Sequence, residues 1–72
     1  MKFMNIPDGA SIKIYTLATE FVRELDDPVN NKLFWDGRNQ QGQLVSSGLY
    51  FYILYNPRGI KNHFIGKIAV IR

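Results

Sequence analysis

Residues 34–55, FWDGRNQQGQLVSSGLYFYILY, decide how the chain reads. Phe34 and Trp35 close one apolar run, and Asp36-Gly37 is among the strongest short turn dipeptides. The polar, Gly-punctuated residues 38–48 hold no regular element. Residues 49–55 are apolar or aromatic throughout, four of them Tyr or Phe, which suits a central strand. The stretch is expected to form strand, turn, turn, strand: a hairpin built on one aromatic strand. Trp35, the sole tryptophan, is expected to anchor a core.

Upstream, residues 2–6 are a short apolar-leaning run closed by Pro7-Asp8-Gly9, a turn in which Pro sets φ and Gly accepts φ > 0. In residues 11–17, Ile12 and Ile14 share one face while Lys13 and Tyr15 share the other, the mark of a half-buried strand. The next segment is ambiguous. Leu17, Phe21, Val22 and Leu25 follow a helical spacing with Thr16 as a cap, which predicts a two-turn helix on local pattern. Strand-like neighbours and short length predict a strand over the same residues. Asp26-Asp27-Pro28 ends either element, since the residue before Pro is pushed out of the α region. Asn30-Asn31 extends that loop, and residues 32–36 form the next strand.

Downstream, the aromatic strand sets Tyr50, Tyr52 and Leu54 against Leu49, Phe51, Ile53 and Tyr55. Both faces are apolar, so the strand should be covered on both sides or meet a partner on one. Asn56-Pro57-Arg58-Gly59 is a turn. A last strand over residues 61–71 puts Phe64, Gly66, Ile68 and Val70 on one face. About six short strands and no long helix predict an all-β, antiparallel sandwich formed by residues 1–72 as a single domain. Its core is expected to hold Trp35, Tyr50, Tyr52, Ile12, Ile14, Ile68 and Val70.

The bulk numbers fit a small, densely cored domain. Seventy-two residues, 46% hydrophobic and 14% aromatic, fold with only about 60% of the unfolded surface buried, so a rich core is needed. There is no cysteine, hence no disulfide and no thiolate metal site. The net charge of +3 comes from scattered Lys and Arg rather than a basic stripe, which argues against nucleic acid as a partner. No stretch approaches the ~18 apolar residues of a membrane-spanning helix, so membrane insertion is not expected. The N-terminal residues do not form a signal peptide.

Three segments together carry a resemblance: NIPDGASIKIYTLATEFVREL, WDGRNQQGQLVSSGLYFYIL and GKIAVIR. They resemble the Ig-like β-sandwich related to the second domain of the flagellar hook-capping protein. The match is nearest to the version found at the C-terminus of many secreted or surface-attached bacterial proteins. In that family a WD-x-x-N-x-x-G turn precedes V-x-S-G-x-Y-x-Y, and the chain often closes on GK-x-x-x-x-R. Here Trp35, Asp36, Asn39, Gly42, Val45, Ser47, Gly48, Tyr50, Tyr52, Gly66, Lys67 and Arg72 occupy those places.

The resemblance covers nearly the whole chain and implies an Ig-like or fibronectin-III-like sandwich with a strand over residues 20–25. It also implies an extracellular or cell-surface location and a non-catalytic role as C-terminal spacer or secretion-sorting and attachment module. The partners implied are proteins: a parent chain, export or anchoring machinery, or further copies. Two departures stand out. The family has Gly in the tight turn where this chain has Thr19, which requires a looser turn or a strained backbone. Family members also carry another strand ahead of the segment matching residues 3–7, so this sandwich is expected to lack its first strand. A competing reading is a self-assembling subunit of an extracellular filament or oligomer, in which a neighbour's end fills the gap, with Phe3 and Ile6 at one end and Ile68 and Val70 at the other as donors. Otherwise the truncated sheet closes up, or an upstream part of a parent chain supplies the strand.

No catalytic, cofactor or metal site is expected. Asp36, Gly37, Asn39 and Gly42 evoke a calcium loop but lack its spacing and its bidentate Glu, and turn chemistry accounts for them better. His63 has no second ligand, Ser46-Ser47 no base, and Asp26-Asp27 point apart. A carbohydrate-stacking platform would need Tyr15, Tyr50, Tyr52 and Tyr55 on one exposed face. Tyr50 and Tyr52 are expected in the core, which leaves that reading as the weakest of the three functions considered.

Overall fold

The computed structural model describes residues 1–56 and 63–71. Alternation drives the architecture. In β2 (Ser11–Thr16), Ile12 and Ile14 are fully buried while Ser11, Lys13 and Tyr15 face away. The other elements are β1 (Lys2–Phe3), β3 (Phe21–Leu25), β4 (Leu33–Phe34), β5 (Gly48–Tyr55) and β6 (His63–Val70). No helix occurs among the described residues. Strands β3-β2-β5-β6 make a four-stranded sheet, β1-β4 a two-stranded one, and every pairing is antiparallel.

Both sheets feed one apolar cluster. Phe3 and Leu33 come from the small sheet; Ile12, Ile14, Val22, Leu25, Tyr50 and Ile68 come from the large one. Trp35, 2% exposed, sits among them as expected, its ring edge-on to Tyr50 at 5.9 Å. Tyr52 and Val70 pack against the cluster but remain partly exposed. Gly66 lies opposite Tyr52, and a Cβ there would overlap the Tyr52 ring, so the missing side chain makes room for that ring to cross β6.

Two local readings are corrected. The helical spacing over residues 17–25 forms no helix: Val22 and Leu25 are buried, but Leu17 and Phe21 stay exposed. Thr16, read as a helix cap, instead closes a tight turn into β3. Its N–H donates to Glu20 O at 2.9 Å, and its Oγ1 accepts from Glu20 N at 3.1 Å. The strand implied by the resemblance is the one present. Thr19 takes the positive φ of 66° at which the family carries Gly, so the turn is strained rather than loosened.

The second correction concerns residues 34–55, which are not a hairpin. β4 pairs with β1 and β5 with β2 and β6, so residues 35–47 cross from one sheet to the other. The strand expected at 32–36 reduces to Leu33–Phe34, and beyond it Trp35 still exchanges backbone hydrogen bonds with Met1, at 2.8 Å and 2.7 Å. Residues 57–59 of the turn expected at 56–59, the start of the strand expected at 61, the His63 side chain and Arg72 lie outside the described residues.

Candidate functional site

The crossing segment is organised by turn chemistry. Asp36 Oδ1 accepts from Arg38 N at 3.1 Å, and Asn39 Oδ1 accepts from Gln41 N at 3.0 Å and Gln43 N at 2.9 Å. Gly37 and Gly42 take φ of 76° and 84°. Trp35 Nε1 donates to Arg38 O at 2.9 Å, tying the segment to the core. At its far end, the Tyr50 hydroxyl donates to Ser46 O at 2.6 Å, and Gly48 opens β5. Asp36 also lies 3.6 Å from Arg23 Nη1 and 3.9 Å from Arg38 Nε. Asp36, Asn39 and Gly42 thus come together as a folded turn. No group of three or more metal-ligating side chains occurs among the described residues.

That segment also closes one edge of the large sheet, a role with no local mark in its residues. β3 is an outer strand, and a neighbouring chain could ordinarily pair with it. Gln40 occupies the position instead. Its backbone N–H donates to Val22 O at 2.9 Å, and its Oε1 accepts from Glu24 N at 3.0 Å. A bulge between Ile14 and Tyr15 further breaks the β2–β3 ladder. Gln40 carries no local signal, because only the crossing of residues 35–47 brings it to β3.

The opposite edge differs. β6 is eight residues long and outermost, and among the described residues no loop or side-chain hydrogen bond reaches it from outside the sheet. Phe64 is 61% exposed and Ile65 65%, on opposite faces of the strand. Two grooves flank this strand where the small sheet stands beside it. One, of about 440 Å³, lies between Met1, Phe34 and Trp35 and the β6 residues Ile68 and Val70. The other, of about 380 Å³, lies between Phe3 and Met4 and the pair Leu54 and Phe64. Phe3 and Ile6 are buried, and Ile68 is 2% exposed. Phe3, Ile6 and Ile68 are therefore docked in their own chain's core, whereas Val70 is only partly buried and Ile71 is exposed.

The outer face of the large sheet carries aromatic side chains as well. Tyr15 stacks on Phe51 at 5.3 Å with rings 19° apart, and Phe21 meets Tyr15 edge-on at 6.0 Å. Lys13 Nζ lies 5.1 Å from the centre of the Tyr55 ring. Partial burial pushes the Tyr15 phenol above the usual tyrosine range, and the adjacent Tyr55 raises it further. The four tyrosines weighed for sugar stacking are split: Tyr50 and Tyr52 face inward, Tyr15 and Tyr55 outward. Tyr15 and Phe51 moreover stack on each other, which occupies one face of each ring.

The chain matches no family model, no curated protein and no solved structure.

Proposed function

We propose that this chain is a non-catalytic Ig-like β-sandwich module of an exported bacterial protein, serving as a C-terminal spacer or surface-attachment element. The sequence resemblance motivates the family and the location. The observation that supports a binding rather than a chemical role is the open β6 edge with its two flanking grooves. An edge strand offers backbone donors and acceptors in a row, and apolar grooves beside it accept the alternate side chains of an added strand. Such a surface recognises protein by shape and backbone, with no nucleophile, base or metal.

The test is a transplant. The chain is fused to the C-terminus of an exported reporter in a bacterium that displays proteins of this kind, and reporter on cells is compared with reporter in the medium. Retention that depends on the intact chain is expected. Equal partitioning with and without it would overturn the attachment role.

A second reading, a subunit that assembles with its own copies by strand sharing, is favoured by one specific contrast. Among the described residues, only one of the two outer strands of the large sheet is covered by its own chain.

A further inference from the structure

We propose that Asp8 is a site of spontaneous succinimide formation and isoaspartate conversion, and that the fold shields the chemically identical Asp36 from the same reaction. The chain holds two Asp-Gly steps, Asp8-Gly9 and Asp36-Gly37, and no Asn-Gly step. Glycine puts no side chain in the way of its own amide, so ring closure is least hindered at these steps. Asp26 is followed by a second aspartate, and Asp27 by Pro28, which has no N–H to give up.

In the reaction the Gly9 nitrogen attacks Cγ of the protonated Asp8 carboxyl. The N–Cγ bond forms, and the carboxyl hydroxyl leaves as water with the amide proton, giving a five-membered imide. Water then adds to one of the two ring carbonyls. Addition at Cγ breaks the new bond and restores Asp8. Addition at the former peptide carbonyl breaks the original C–N bond and leaves the chain running through Cβ and Cγ. One water is lost and one regained, so water is the sole co-reactant.

The two steps differ in what holds them. Asp8 and Gly9 are exposed, and Gly9 takes a φ of 79° in a turn closed by one bond, from Ala10 N to Pro7 O at 3.1 Å. Among the described residues, no hydrogen bond or ion pair holds the Asp8 carboxylate or the Gly9 amide. Bringing that amide onto Cγ requires rotation about the Asp8 Cα–C bond, which costs the closing bond alone. At Asp36 the same rotation is opposed from several sides. Its Oδ1 accepts from Arg38 N at 3.1 Å and lies 3.6 Å from Arg23 Nη1. Gly37 O accepts from Val45 N at 3.0 Å, and the preceding residue, Trp35, is fixed in the core. Ring closure there waits on opening of the whole crossing segment.

Conversion at Asp8 adds one atom to the main chain between Ile6 and Ala10, both of which are buried. A tight turn closed by a single bond does not keep that bond with an extra atom inside it. Ile6 also donates its N–H to Asn31 O at 2.9 Å and lines the groove beside Leu54 and Phe64. The converted chain therefore seats β1 less firmly and reshapes that groove.

The test ages the whole chain, folded and in urea, in water enriched in heavy oxygen, which every ring opening incorporates. Trypsin then separates the two sites, as residues 3–13 and residues 33–38. In the folded chain the label should enter the Asp8 peptide at least about tenfold faster than the Asp36 peptide. An isoaspartyl form of residues 3–13 should accumulate with it, read by methyl transfer from S-adenosylmethionine with a protein-isoaspartate methyltransferase. In urea the two rates should converge. Asp8→Glu, whose ring would need six members, should abolish the first signal, and thermal unfolding checks that this variant remains folded. Equal rates at the two sites in the folded chain, or a faster Asp36, would overturn the proposal. So would an unlabelled Asp8 over a time in which the chain in urea labels at both.

Discussion

The two outer strands of the large sheet meet the same physical problem and treat it oppositely. β3 is short, bulged, bordered by Glu20, Asp26 and Asp27, and sealed by Gln40 from the crossing segment. β6 is longer and carries Phe64 and Ile65 in solvent, with no cover from the described residues. Nothing in their distance from the core explains this, since Val22 and Leu25 of β3 and Ile68 of β6 are all buried. The difference is in what the connections do. Residues 35–47 cross between the sheets and pass along β3 on the way, so one edge is protected as a by-product of topology. Among the described residues nothing comparable covers the outer edge of β6.

The comparison breaks most severely at Trp35, which roots the crossing segment in the core. Trp35→Ala should destabilise the fold by about 3–5 kcal/mol, as truncation of large buried aromatics does. It should also release the β3 cover, because the Nε1 bond to Arg38 O is lost with the ring. Urea denaturation gives the first effect, and faster exchange of the Glu24 amide before global unfolding gives the second. A loss below about 1 kcal/mol would mean the segment is held by its turn hydrogen bonds alone.

At the open edge the next largest effect is expected at Gly66. Gly66→Ala forces the Tyr52 ring off its path and away from Phe3, with which it makes an edge contact at 5.0 Å. Overpacking of this kind costs about 1–3 kcal/mol. In a Tyr52→Ala background the same change should be nearly neutral, and a double-mutant cycle measures that coupling. Additive losses would show that backbone conformation rather than the ring selects glycine.

Gln40→Ala sharpens the contrast directly. It removes the acceptor for Glu24 N while leaving the backbone bond to Val22 O, so a loss of about 0.5–1 kcal/mol is expected. The Glu24 amide should exchange faster with little change elsewhere. Smallest of all, and opposite in sign, is Thr19→Gly. A β-branched residue at φ of 66° is strained by about 1–2 kcal/mol, and glycine's greater unfolded-state entropy offsets part of the relief. A net gain of about 0.5 kcal/mol is expected in denaturant melts, and a loss would show that Thr19 contributes contacts outweighing the strain.

Much of the fold was legible because the alternating residues report their own burial. Ile12 and Ile14 marked β2, the aromatic run marked β5, and Trp35 with Asp36-Gly37 marked the anchor and its turn. What failed was pairing. Nothing in FWDG or in GLYFYILY says whether the strands they border join each other or different sheets, and residues 34–55 were misread as a hairpin. The helical spacing at Leu17, Phe21, Val22 and Leu25 misled for a related reason: in so short a window, a bulged strand and a helix bury similar positions. Asn30-Asn31 was read as plain loop, yet both residues take positive φ and close a two-residue turn between Val29 and Lys32. The closed edge was hidden because Gln40 acts at long range. The open one left a trace in Phe64 and Ile65, adjacent apolar residues that cannot both face inward on one strand.

Residue-resolved amide exchange at two concentrations tests the central claim most directly, that one edge is sealed by its own chain while none of the described residues seals the other. In dilute solution the Glu24 amide should be protected while alternate amides of His63–Val70 exchange quickly. Raising the concentration should slow only the β6 set. Fast exchange at Glu24 together with uniform protection along β6 in the dilute sample would contradict the account.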